Sequence, residues 1–171
     1  LIFLFVFGFT GLAWSFEWFN KGIYTITNSS MARPKPPVSV ADTNSNIISA
    51  EAAFQTALQL WKSAEYYSII LPKDSTDVYT ISALNADAVH ETASDQLFID
   101  QYAGNILKTN LYKDRNLGQR IRSTFKPVHT GSILGWPGKV VAVITCLFGF
   151  SFPITGTIMW WNRTRKKKNG S

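Results

Sequence analysis

Of the side chains in this sequence, two histidines, His90 and His129, have the chemistry to exchange a proton near neutral pH or to donate a nitrogen lone pair to a metal. His129 stands in "STFKPVHTGSILGWPGK", residues 123–139, where a polar segment gives way to a long apolar one. An imidazole at such a boundary can cap a helix, sense pH, anchor the chain at an interface, or hold a metal or haem. Arg120, Arg122 and Lys126 precede it by about one to three helical turns. They would bring positive charge to any anionic group gathered there. His90 lies in "NADAVHETASD", a polar stretch that reads as surface loop.

Other chemistries find no support. No Ser-His-Asp arrangement, phosphate loop or metal-binding run is legible. Cys146 is the single cysteine, so neither an intrachain disulfide nor a cysteine metal site can form. Glu17, at the end of an apolar run, is an ionisable group near bilayer depth and a functional candidate, with snorkelling to the interface as the simpler reading. The formal charge of +6 is mostly local, since Arg163, Arg165, Lys166, Lys167 and Lys168 follow an apolar run directly. That pattern fits a stop-transfer anchor at a cytoplasmic face and no nucleic-acid partner.

Two apolar segments must position His129. Residues 1–19 are apolar up to Glu17 and, at 1.5 Å per residue, cover roughly 27 Å. Residues 140–161 carry no charge and cover roughly 33 Å, within a segment that begins near residue 131. Both read as transmembrane helices in a lipid bilayer. Trp14, Trp18, Trp160 and Trp161 suit the headgroup region. Gly8, Gly11 and Ser15 in the first segment, and Cys146, Gly149, Pro153 and Gly156 in the second, form small-residue stripes fit for helix packing. Pro153 is expected to kink its helix.

A Lys/Arg count across the second segment is close to a tie, because Arg115, Arg120, Arg122, Lys126 and Lys139 crowd its other end. The intervening stretch is long, and long loops translocate largely regardless of charge. The compact basic tail, residues 162–171, is therefore expected in the cytoplasm and the middle of the chain outside.

Between the spans, residues 20–46 read as a linker rich in Pro, Ser and Asn. Ser49 is a good N-cap for a helix over residues 50–63, with Glu51 in its first turn and Phe54, Ala57, Leu58 and Trp61 on one face. "YYSIILP" and "DVYTISAL" read as strands, and "QLFIDQYAGNILKTNL" as a hairpin turning at Gly104 and Asn105. The expected fold of residues 47–111 is a small α+β layer, one helix on an antiparallel sheet. In residues 112–130, Leu117, Ile121 and Phe125 make an apolar stripe beside basic residues, an amphipathic helix on the membrane surface stopped by Pro127. Thr130 and Gly131 would then turn the chain into the bilayer, with Lys139 snorkelling to the interface.

"IISAEAAFQTAL", "YTI" and "LFIDQYAGNIL", with Asp100, Tyr102 and Gly104 in the hairpin, resemble the PepSY domain. "TGLAWSFEW" and "HTGSILGWPGK…ITGTIMWWNR" are similar to the membrane segments of PepSY-associated transmembrane proteins, so the resemblance runs nearly unbroken over residues 15–163. It implies a bacterial inner-membrane protein whose full-length form has four membrane helices and a PepSY domain in each half, this chain matching the C-terminal half. It also implies two classes of function. One is a haem-containing reductase of ferric siderophores, an activity of the full-length protein. There His129 would be an axial ligand of haem b, Arg120, Arg122 and Lys126 would meet the propionates, and the second ligand would come from missing N-terminal helices or another subunit. The other is a non-catalytic periplasmic module that binds a peptide or regulates a peptidase.

Overall fold

The computed structural model of the chain describes residues 2–32, 35–40 and 46–168, the last three by backbone alone. Residues 33–34 and 41–45 of the expected linker, and 169–171 of the basic tail, lie outside the described residues. The chain forms two compact units, residues 17–124 and residues 1–16 with 125–171.

The first unit is built on a four-stranded antiparallel sheet in the order β1-β2-β3-β4: β1 Ala64–Ile70, β2 Val78–Asn85, β3 Asp95–Asp100 and β4 Ile106–Asn110. This is the α+β layer expected from the sequence. α3, Ala50–Leu60, starts at Ser49, whose side chain accepts from Ala52 N. Ala53, Ala57 and Trp61 pack on Tyr79, Ile81, Ala83, Leu97 and Ile99 to form the core. Two of the helix residues at the core are alanines, which lets the helix sit close to the sheet. Phe54 stacks edge-on against Tyr67 instead, and Tyr67 also donates its hydroxyl to Trp61 O.

Asp100, Tyr102 and Gly104 serve the β3–β4 turn. Asp100 Oδ2 accepts from Ala103 N at 2.7 Å, and Gly104, at φ 71°, takes the left-handed conformation the turn requires. Gln101, almost fully buried, donates to Asp74 O and Asp77 O and so ties this turn to the β1–β2 loop. In that loop Asp74 Oδ1 collects the backbone N–H and hydroxyl of Thr76, which hold its carboxyl below the ordinary range.

The expected linker is helical at its start. α2, Glu17–Ile26, opens with Glu17, which pairs with Lys21 at 2.9 Å. Residues 27–32 then bind the start of α4, Leu117–His129. Gly118 N donates to Ser29 Oγ, Asn116 Nδ2 to Ser30 O, and Gln119 Nε2 to Ala32 O. A Cβ at Gly118 would come within 2.7 Å of Tyr24, so glycine sets that approach. Pro127 does not stop α4, which runs two residues past it. A proline near a helix end costs little when the carbonyl it leaves bare finds another donor.

In the second unit α1, Ile2–Ser15, packs against α5, Gly135–Lys168. Among the described residues of the two helices, Thr10, Ala13, Gly138, Ala142 and Thr145 are buried, all of them small. The expected stripes are used in part: a Cβ at Gly149 would meet Leu4 at 3.3 Å and one at Gly11 would meet His129 at 3.9 Å, whereas Gly8 and Gly156 face open space. The expected single span over residues 1–19 is broken at Phe16. The described part of α1 has 14 residues, ~21 Å of rise. Beyond the break α2 brings Glu17, Asn20 and Lys21, which could not continue in hydrocarbon without cost.

Residues 132–165 form the helix that is long and apolar enough to cross a membrane. Leu147, Phe148, Phe150, Phe152, Ile158 and Met159 are all exposed around it. Such apolar exposure on every side is untenable in water and ordinary in lipid. Its approach is a 3-10 turn, Ser132–Leu134, between Gly131 at φ 74° and Gly135 at φ 66°. A Cβ on Gly131 would lie 2.3 Å from Gly138 O, so this turn has no room for a side chain.

Candidate functional site

His129 ends α4, and α1 supplies its surroundings. Phe7, Thr10, Gly11 and Trp14 recur at helical spacing and present one stripe. The Phe7 and Trp14 rings lie 5.5 Å and 5.2 Å from the imidazole, and Thr10 Oγ1 lies 2.8 Å from Nδ1. Thr10 Oγ1 also lies 2.8 Å from Val6 O, one turn back, a carbonyl that a helical threonine hydroxyl commonly bonds. The imidazole is half-buried among aromatic rings, with Nδ1 held by Thr10 and Nε2 without a hydrogen-bond partner among the described residues. Metal-ligating histidines are commonly held in this way through their other ring nitrogen.

The cations named from the sequence are distributed between the units. Lys126 is exposed, in the unit of His129. Arg120 and Arg122 belong to the sheet unit, where the Arg120 guanidinium lies 5.9 Å from the Tyr112 ring centre and Arg122 Nε donates to Asn20 Oδ1 at 2.7 Å. Among the described residues no three His, Cys, Asp or Glu side chains group to hold a metal ion.

His90 is not the free loop residue its sequence context suggests. Nε2 lies 3.0 Å from the Tyr112 hydroxyl and Nδ1 2.9 Å from Thr92 Oγ1. Thr92 gives its own proton to Ser123 O at 2.7 Å. Arg115 also lies over the Tyr112 ring, at 5.2 Å, and donates to Ser94 O. Burial pushes the His90 pKa below its ordinary value; Glu91 opposes this and Arg115 adds to it. With both nitrogens engaged, His90 has no lone pair to offer a metal. Sequence reading missed Thr10, Trp14 and this second cluster. The available signal for the first pair was a hydroxyl in the middle of an apolar helix with aromatics three residues before and four after it.

The fold and these sites define a membrane-associated protein that has a small α+β domain and a helix long and apolar enough to cross a membrane. Compared with known families, the chain matches the PepSY-associated TM region over residues 1–163, and it belongs to that family. No curated protein matches it.

Proposed function

We propose that this chain is the membrane-embedded part of a haem-dependent redox accessory to iron uptake, of the ferric-siderophore reductase kind, with His129 as an axial ligand. The observation that supports this reading most is the contact between Thr10 and the His129 ring. In this reading Thr10 gives its proton to Val6 O and accepts from Nδ1–H, which orients the imidazole and leaves Nε2 to bind iron. The Phe7 and Trp14 rings give an apolar wall of the kind a porphyrin packs against. Haem, when bound, would supply one-electron transfer. The protein's own part is to hold the ring and limit water. Lys126, with Arg120 and Arg122 near it along the chain, are the candidate partners for the propionates. His90, occupied at both nitrogens, is not the second ligand in this reading; that ligand comes from outside the chain. The sheet unit stands on the extracytoplasmic side and the basic tail in the cytoplasm.

The test is the visible spectrum of the full-length protein purified in detergent. Wild type shows the bands of low-spin haem, and His129→Ala loses them while His90→Gln keeps them. Unchanged bands in His129→Ala would remove His129 from the reading. A colourless wild type would leave a second reading, a non-catalytic extracytoplasmic binding module. The unpaired outer edges of β1 and β4 favour that alternative, since exposed Ile69, Ile70, Ile106 and Leu107 border them.

A further inference from the structure

The cluster at His90 has a property that neither functional reading uses. Residues 86–94, the β2–β3 loop, carry His90 and Thr92; the 3-10 turn Tyr112–Asp114 carries Tyr112; α4 carries Ser123. One imidazole joins these three elements, and the direction of each hydrogen bond follows from counting protons. Ser123 O is the carbonyl that Pro127, four residues on, cannot satisfy, because proline has no N–H. The Thr92 hydroxyl donates to it, so Thr92 Oγ1 must accept from His90 Nδ1–H. The neutral ring then has its lone pair on Nε2, which accepts from the Tyr112 hydroxyl. Ser123 Oγ spends its proton on Arg120 O at 2.6 Å and has a free lone pair 3.3 Å from the Tyr112 oxygen.

That lone pair gives the network a second state. A proton arriving on Nε2 makes it a donor to the Tyr112 oxygen, and the phenol proton must then turn to Ser123 Oγ. The new state has the same heavy-atom partners but a longer final bond, and it adds charge to a place already cationic. Arg115 from the 3-10 turn segment and Arg120 from α4 both face the Tyr112 ring. Glu91 on the loop acts on the ring in the opposite sense. From β3 the nearby carboxylate is Asp95, already holding Tyr112 N at 2.7 Å and the Asn85 amide.

We propose that His90 is a proton-operated latch of the sheet unit: neutral, it fastens residues 86–94 to the 3-10 turn and to α4; protonated, it releases them. The sign follows from the depressed His90 pKa. The fastened state binds a proton less readily than the released one, whose imidazole titrates near its ordinary value of about 6.5. Stability of the fastened state is therefore full above about pH 6.5 and is lost as the pH falls through that value toward the lower pKa of the fastened form.

Hydrogen–deuterium exchange of the full chain in detergent, corrected for the intrinsic pH dependence of exchange, tests this between about pH 8 and about pH 5. In wild type, protection of residues 86–94 is lost on acidification. In His90→Gln protection does not respond to pH. In Glu91→Gln, an exposed substitution that leaves the hydrogen bonds of the cluster in place, the fastened form takes a proton still less readily, so the loss begins at the same pH but is deeper and continues to lower pH. Equal protection across the range in wild type, or an acid response that persists in His90→Gln, would overturn the latch.

Discussion

Each imidazole meets a threonine that also reaches a backbone carbonyl. Thr92 gives its proton to Ser123 O and accepts from Nδ1 of His90, and the proposed function assigns Thr10 the same part, with its proton on Val6 O and Nδ1–H of His129 donating to it. What differs is the far nitrogen. Nε2 of His90 is capped by Tyr112, whereas Nε2 of His129 has no hydrogen-bond partner among the described residues. One ring is thereby suited to taking up a proton and the other to binding a ligand. Thr10→Val keeps the shape of the α1 stripe and removes the anchor. In a haem-binding protein it should weaken retention roughly 10–100-fold, the usual cost of losing the group that holds a ligating histidine by its other nitrogen, with His129 itself unchanged. A haem titration of the variant checks this. The importance of His129 was legible from its place at the boundary of an apolar run. Thr10 was not, because a hydroxyl in a membrane helix ordinarily bonds its own backbone, and only the fold brings a second partner to it.

The elements were legible where pattern and core agree. α3 follows its sequence signal but ends at Leu60, short of the expected end at residue 63, the four strands follow theirs, and Gly104 turns the hairpin as its neighbours suggest. The misreadings fall where a distant partner changes the local balance. Pro127 reads as a helix stop, yet the carbonyl it leaves without a donor is met by Thr92, 31 residues away. Residues 17–32 read as membrane end and linker; Glu17–Lys21 pairing and the bonds to Asn116, Gly118 and Gln119 give them structure. Gly131 was legible as a turn residue, but its closeness to Gly138 was not. Gly131→Ala would place a methyl against the Gly138 carbonyl at a left-handed φ, costing about 1–3 kcal/mol or more. Gly156→Ala, in open space, should be nearly silent. Thermal melts of the two variants in detergent should separate them clearly.

At the scale of the whole molecule, α5 is long and apolar enough to cross a membrane, and the chain belongs to the family of the PepSY-associated TM region. Sidedness rests on the compact basic tail. With Cys146 replaced by alanine, single cysteines at Asp87 and at Thr164 should label differently in intact cells. The first should react with a membrane-impermeant maleimide, and the second only after permeabilisation. The reverse pattern would place the sheet unit inside and remove it from any extracytoplasmic role.

The central claim of the proposed function is that Thr10 anchors His129 through Nδ1–H and leaves Nε2 to the iron. Long-range proton–nitrogen NMR of the two rings, in the full chain in detergent without haem at about pH 8, reads this directly. The predicted spectrum shows His129 protonated at Nδ1 with an unprotonated, pyridine-like Nε2, and Thr10→Val relaxes that preference. A His129 ring protonated at Nε2 in the wild-type chain would contradict the claim and with it the case for ligation.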